Sequence, residues 1–309
     1  MTGDSSLPEA SRTWALNGVT WRQLAYWGAR FGPNPWLQYS PSWFGFAFGL
    51  ALQRERKAVR QNLRRLFGAR PVWVEERDIL RTFVAYAHCL AESLGSARKE
   101  GREAQCELSH EGELKALLNG QQGFIIGTAH TGAWDVAAQC LMEQSGRKVI
   151  LVMDREPDAR ARALHDALRG KRGIEVAHVG ADALEGLSLL RHLKQGGVVA
   201  VQLDRFPERS RSVQVRLGRG PFQIPLGPFV LASLAQVPLL PLFVARRGYY
   251  RYAVSIETAI RLPRRLSPGE AEAAAQRAAH QLEAFLLDNP EQWFNFDLHA
   301  AELPVPCGP

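Results

Sequence analysis

Short apolar runs alternate with longer amphipathic stretches through the middle of the chain. Residues 123–129, 148–153, 174–178 and 198–203 are compact and rich in valine, isoleucine and leucine. Such runs read as strands buried on both faces, as in a parallel sheet. Between them, residues 133–145, 157–170 and 182–194 carry apolar positions at helical spacing; Val136, Ala137, Cys140 and Leu141 mark one such face. Asp182 and Glu185 give the third of these helices a capping-box start. Upstream, residues 75–97 form an amphipathic helix with Ile79, Phe83, Ala87 and Leu90 on one side. Downstream, strands are expected at 213–217, 239–245 and 250–257, and Ser267 with Glu270 announces a helix from Pro268. The alternation predicts an α/β fold with a mostly parallel central sheet flanked by helices.

The amino-terminal pattern is different. Residues 31–53 contain no charged side chain and include Trp36, Leu37, Trp43, Phe44, Phe46, Phe48, Leu50 and Leu52. About 20 apolar residues are needed to cross a bilayer as a helix. Pro33, Pro35 and Pro41 interrupt the first half, so the expectation is a helix of about a dozen residues lying in the interface rather than spanning it. Arg54, Arg56, Lys57, Arg60, Arg64 and Arg65 follow at once, with Glu55 as the acid among them. A basic block beside an apolar anchor favours anionic lipid and the cytoplasmic face. A hairpin of core helices with a solvated basic face is the alternative. The first 30 residues lack the pattern of a cleaved secretory signal.

Composition narrows the partners only a little. The 309 residues are 46% hydrophobic, enough for a large core in one unit. A net charge of +7 admits anionic lipid headgroups, an acidic carrier protein, coenzyme A phosphates or nucleic acid. No base-stacking motif accompanies it, and no nucleic-acid partner is expected. Cys89, Cys106, Cys140 and Cys307 form neither a C-x-x-C nor a zinc-ligand spacing, so no metal site is expected. P-loop and G-x-G-x-x-G patterns are missing as well.

The candidate chemistry sits at the end of the first central strand. His130 follows the apolar run, Gly132 makes a turn, and Asp135 falls in the first turn of the next helix. Ligands of open α/β sheets bind beyond the carboxyl ends of the strands. An imidazole there takes a proton from a hydroxyl, while a carboxylate on its other nitrogen sets the tautomer. No G-x-S-x-G is present and the cysteines lack a nucleophile's setting, so a catalytic His130 would act on the substrate's own hydroxyl. On spacing alone, a strand-end histidine and a helix-capping aspartate account for the same residues equally well.

Four ordered motifs go further. Thr128-Ala-His-Thr-Gly-Ala-Trp-Asp135 resembles the H-x-x-x-x-D/E motif of the glycerolipid and lysophospholipid acyltransferase superfamily, in the form carried by bacterial lipid A late acyltransferases. The basic helix ending Asn62-Leu-Arg-Arg-Leu-Phe67, the segments Val201-Gln-Leu-Asp-Arg205 and Val213-Gln-Val-Arg-Leu-Gly218, and Asn289-Pro-Glu-Gln-Trp-Phe294 resemble further motifs of that family. The likeness runs from about residue 20 to 297. It departs in two places: lipid A enzymes often have glutamate at the position of Asp135, and a histidine–arginine-rich run where this chain has Asn295-Phe-Asp-Leu-His299. Phosphatidylinositol mannoside acyltransferases share the same frame, so the acceptor stays open.

The resemblance implies a membrane-associating segment over residues 1–67 packed as one unit with an acyltransferase α/β domain over 68–309. It implies transfer of a fatty acyl chain from acyl carrier protein or coenzyme A to a hydroxyl of a membrane lipid or glycolipid, at the cytoplasmic side of the inner membrane. The acyl thioester is a co-substrate and no bound cofactor is expected. His130 is then the base and Asp135 its orienting carboxylate. Asp204, Arg155, Gly132 and Arg205 are the substrate-side candidates: Arg155 for a headgroup or developing charge, Asp204 for the acceptor hydroxyl or a pairing with Arg205, and the N–H groups from Gly132 to Trp134 for the oxyanion. A thioester or lipid hydrolase using the same pair, and a non-enzymatic anionic-lipid-binding protein, are the rival readings.

Overall fold

The structure is a computed structural model that describes residues 27–29, 31–95, 103–136, 146–154, 175–179, 183–205 and 211–297. After a helical stretch at 27–29, the described residues give α1 (Asn34–Ala51), α2 (Gln53–Phe67) and α3 (Val72–Gly95). Strand β1 (Gln105–Ser109) and helix α4 (Glu111–Asn119) lead to β2 (Phe124–Thr128), β3 (Val149–Asp154) and β4 (Glu175–Val179). Helix α5 (Ala183–Lys194), β5 (Val198–Gln202), the pair β6 (Ser212–Leu217) and β7 (Gly220–Pro225), and α6 (Gly227–Ala235) follow. The chain then runs through β8 (Leu239–Gly248), β9 (Arg251–Ile256), α7 (Pro268–Asp288) and a single 3-10 turn, Pro290–Gln292.

Among the described residues, seven strands form the main sheet in the order β1-β9-β8-β2-β5-β3-β4. From β8 to β4 all neighbours are parallel, while β9 runs antiparallel to β8 and carries β1 parallel to itself. The sheet is thus mostly parallel, as the run pattern predicts. Alternate residues of its central strands feed two apolar layers. Ile125, Val199, Leu239 and Phe243 pack with residues of α5, α6 and α7; Phe124, Val198, Leu240 and Val244 pack toward α4 and Cys89 of α3. Burying such a side chain fully contributes about 1.5–3 kcal/mol, so these rows fix the register.

The expected strands are present, and each boundary moves by at most a few residues. The strand expected at 213–217 belongs to a separate two-stranded antiparallel hairpin, β6–β7, rather than to the main sheet. Strands β1 and β7 and helices α4 and α6 are additions. Helix α3 begins at Val72, ahead of the expected 75. The helix expected at 133–145 is described only as far as Val136; that expected at 157–170, Asp182 and Arg155 lie outside the described residues. The start of α7 is as expected: Ser267 Oγ accepts from the Glu270 N–H, and the Glu270 carboxylate accepts from the Ser267 N–H at 2.8 Å.

The prolines break α1 less than expected. Pro35 falls in the first turn, where N–H groups have no partner within the helix, and Pro41 is accommodated inside. The buried face is made of Leu37, Ser40, Pro41, Gly45 and Gly49. A Cβ on Gly45 would lie 2.6 Å from Val84 Cα, so this face is small because the backbones of α1 and α3 touch. Ser42 Oγ meets His88 Nε2 at 2.8 Å and ties the two helices together. The opposite face carries Trp36, Tyr39, Trp43, Phe46 and Leu50, all exposed, Trp43 to 78%. Among the described residues, no helix is long and apolar enough to cross a membrane.

The basic block is less free than its sequence implies. Arg56 and Arg60 both pair with Glu76 on α3, and Arg64 holds Glu75 through two bonds of 2.8 and 2.9 Å. Arg65 is buried, with its guanidinium over the Phe222 ring at 5.4 Å. Much of this charge therefore fastens α2 to α3 and the hairpin instead of facing solvent.

Candidate active site

Two neighbouring parallel strands bring the site together. Thr128 of β2 is registered with Gln202 of β5, and the Leu203 N–H donates to the Thr128 carbonyl at 2.7 Å. His130 and Asp204 each lie two residues farther along. β2 has β5 on one side and β8 on the other, and the pair follows directly on the carboxyl ends of β2 and β5, the end of the sheet at which open α/β folds bind ligands. His130 Nδ1 lies 2.8 Å from Asp204 Oδ1, and the His130 backbone N–H donates to both carboxylate oxygens at 3.1 Å. Trp293 Nε1–H donates to Asp204 Oδ2 at 2.9 Å.

These donors decide the protonation states. Asp204 is fully buried; burial pushes its carboxyl up, but His130, Arg205 and the Trp293 N–H outweigh that and bring it down to about 2. An ionised carboxylate only accepts, so the hydrogen shared with His130 belongs to Nδ1. Nε2 is then the basic nitrogen of the neutral ring. Among the described residues it has no hydrogen-bond partner, and the side chain keeps 21% of its surface open. The arrangement is a base aimed outward and an anion behind it to stabilise the imidazolium.

A third segment closes over both residues. The Phe294 N–H donates to the His130 carbonyl at 2.7 Å, and the Gly132 N–H to the Gln292 carbonyl at 3.2 Å. Asn295 Nδ2 donates to the Asp204 carbonyl at 2.9 Å, and Asn62 Nδ2 of α2 to the Asn295 carbonyl at 2.8 Å. Gln292 Oε1 accepts from the Arg246 N–H, whose guanidinium Nε donates to the buried Glu92 at 2.7 Å. Burial raises the Glu92 carboxyl against the pull of Arg246 and the Tyr252 hydroxyl. Residues 292–295 thus form a strap across the ends of β2 and β5.

The sequence candidates divide accordingly. Asp204 occupies the place beside the imidazole that the sequence reading gave to Asp135. Asp135 accepts from Ser93 Oγ of α3 instead. The Gly132 N–H, expected at the oxyanion, is taken by Gln292; its φ of +52° and its contact with Val244 make the residue a tight turn. Arg205 reaches the strap, its Nη2 donating to the Phe294 carbonyl at 2.8 Å. Arg155 lies outside the described residues. Trp293 and Asn295 have site contacts that no sequence argument assigned, although the motif that contains Trp293 was visible.

A family model described as bacterial lipid A biosynthesis acyltransferase matches residues 9–298. Phosphatidylinositol mannoside acyltransferases of Mycobacterium tuberculosis, from strains CDC 1551 / Oshkosh and ATCC 25618 / H37Rv, are each 24% identical over 188 residues, covering 59% of this chain. The chain spans 59% of the length of these curated relatives. The crystal structure of the 1-acyl-sn-glycerophosphate (LPA) acyltransferase PlsC from Thermotoga maritima aligns with 13% identity over 79% of this chain and 94% of its own. Its TM-score is 0.37, too loose a likeness to carry an argument.

Proposed function

This chain belongs to the bacterial lipid A biosynthesis acyltransferase family, and from that premise we propose that it moves a fatty acyl chain from an acyl thioester to a hydroxyl of a membrane lipid or glycolipid. The donor is acyl carrier protein or coenzyme A. The observation that carries the reading is His130 held through Nδ1 by the buried anion Asp204, with Nε2 left as the base.

In the proposed reaction His130 Nε2 accepts the acceptor's hydroxyl proton as that oxygen attacks the thioester carbonyl. Asp204 stabilises the imidazolium as it forms. When the tetrahedral intermediate collapses the C–S bond breaks, and the imidazolium returns its proton to the leaving sulfur. The products are an ester and a free thiol. Asp135 and Ser93 stand on the α3 side of the same strand end, a placement that suits the acceptor or donor headgroup.

The proposed setting is the cytoplasmic face of the inner membrane, with α1 lying in the interface. The support is its inverted face: glycines and a serine packed inward, Trp36, Tyr39, Trp43 and Phe46 facing outward. Tryptophan and tyrosine favour the headgroup level of a bilayer.

The test is mass spectrometry of lipids formed when purified protein meets acyl carrier protein or coenzyme A thioesters and a membrane extract. An acylated lipid that disappears with His130→Ala is expected. Free fatty acid alone, independent of added acceptor, would replace the reading with a hydrolase.

A further inference from the structure

We infer that Trp293 is a positioning residue for the His130–Asp204 pair, its indole N–H fixing the carboxylate that in turn fixes the imidazole. The kinetic part of this inference rests on the acyltransferase reading; the geometric part does not.

A carboxylate terminates a torsion with a broad, roughly two-fold profile. Donors on one oxygen alone leave it able to swing. In this site Oδ1 receives His130 Nδ1–H at 2.8 Å and Oδ2 receives Trp293 Nε1–H at 2.9 Å, so the plane of the group is set by donors from two distant segments. The His130 N–H, 3.1 Å from each oxygen, favours the same plane. The indole nitrogen only donates, which suits it to a partner that must stay ionised.

The Trp293 side chain is itself immobilised. It is 3% exposed, and Phe222 packs edge-on against it with ring centroids 6.0 Å apart. Its backbone pairs with Thr131 in an isolated bridge, between the Gln292 carbonyl that accepts from Gly132 and the Phe294 N–H that donates to His130. One residue therefore holds the histidine's strand end through its backbone and the aspartate through its side chain. The distance between base and anion is set by a third piece of chain as well as by the β2–β5 register.

Trp293→Phe keeps the aromatic packing and removes the donor. The expected result is a fall in kcat on the order of tenfold, as for one lost hydrogen bond to a charged group, with KM for donor and acceptor unchanged. Spectroscopically, the downfield Nδ1–H resonance of His130 should shift and broaden, and in an Asp204→Asn background the Trp293→Phe change should add little. Site-specific replacement of Trp293 by 3-benzothienylalanine, which has sulfur where indole has N–H, gives the same outcome without altering ring size and covers the case in which the phenylalanine variant folds poorly. An unchanged His130 resonance and unchanged kcat in the folded analogue overturn the inference, as does an equal effect of Trp293→Phe with and without Asp204. If no acyl transfer is found with any donor, the functional reading fails on its own, because the resonance still reports whether the indole positions the pair.

Discussion

His130 and Asp204 stand at the same height just beyond the ends of two adjacent parallel strands, each two residues past the registered pair Thr128 and Gln202. The two parallel strands deliver a base and its anion to one point although 74 residues separate them in sequence. The geometry ranks the two aspartates of the site.

Asp204→Asn is expected to lower kcat on the order of 10²–10⁴-fold, the range of general-base assistance. An amide in that place donates to Nδ1 and moves the ring hydrogen to Nε2, the nitrogen that has to accept. Asp135→Asn is expected to lower kcat less, since an amide oxygen still accepts from Ser93. Steady-state kinetics on both variants decide the matter; equal losses, or a larger one at Asp135, would return the orienting role to Asp135.

The depressed Asp204 carboxyl also predicts a pH dependence of stability. Its folded value of about 2 lies below the ordinary 3.8, so the folded state binds this proton less readily than the unfolded chain. The resulting stabilisation is present above pH ~4 and is lost as the pH falls toward 2, and it amounts to about 2 kcal/mol. The Tm gap between wild type and Asp204→Asn should narrow as the pH falls below ~4. A gap that stays constant down to pH ~2 would show that the carboxyl is not depressed.

Gly132→Ala should damage both stability and turnover. The residue has φ +52°, and a Cβ would sit 2.4 Å from the Val244 carbonyl oxygen. The left-handed backbone alone costs about 1–2 kcal/mol for a residue with a side chain, and relieving the contact displaces the turn that carries His130. Gly227→Ala meets nothing within 4 Å and is the control. Thermal unfolding of the two variants should separate them clearly.

Serine at both Trp36 and Trp43 is expected to weaken sedimentation with anionic vesicles while lowering Tm little, because Trp43 is 78% exposed and Trp36 50%. Charge reversal at Arg64 should instead lower Tm. It leaves Glu75, whose side chain is 2% exposed, facing a like charge. Vesicle binding that survives loss of both tryptophans would assign the aromatic face to another partner.

The legible parts of this molecule are local. The run at β2, the strand-to-helix turn at His130 and the capping box at Ser267 each lie within a few residues, and each is where its spacing puts it. The strand order is not local, which is why Asp204 reads in sequence as a free candidate for an acceptor hydroxyl when β5 in fact lays it beside His130. Edge strand β1 is mixed in polarity and half-exposed, so it lacks the apolar run that marks the central strands. Helix α6 is apolar almost all round and gives no amphipathic stripe. The basic block misleads for a similar reason: Glu75 and Glu76, its partners, come from the next helix.

The strap has a consequence for assembly. Asn62, His130, Asp204 and Asn295 meet at one place, and the bond between Asn62 and Asn295 closes a separation of 233 residues. Contacts of such span are the slowest to form. During synthesis the strands that flank His130 emerge well before residues 292–295, so a nascent chain can build its sheet while the proton-transfer pair still lacks its indole clasp. Competence for chemistry then arrives only when residues 292–295 dock, the step at which Trp293 and Phe294 also complete the two apolar layers.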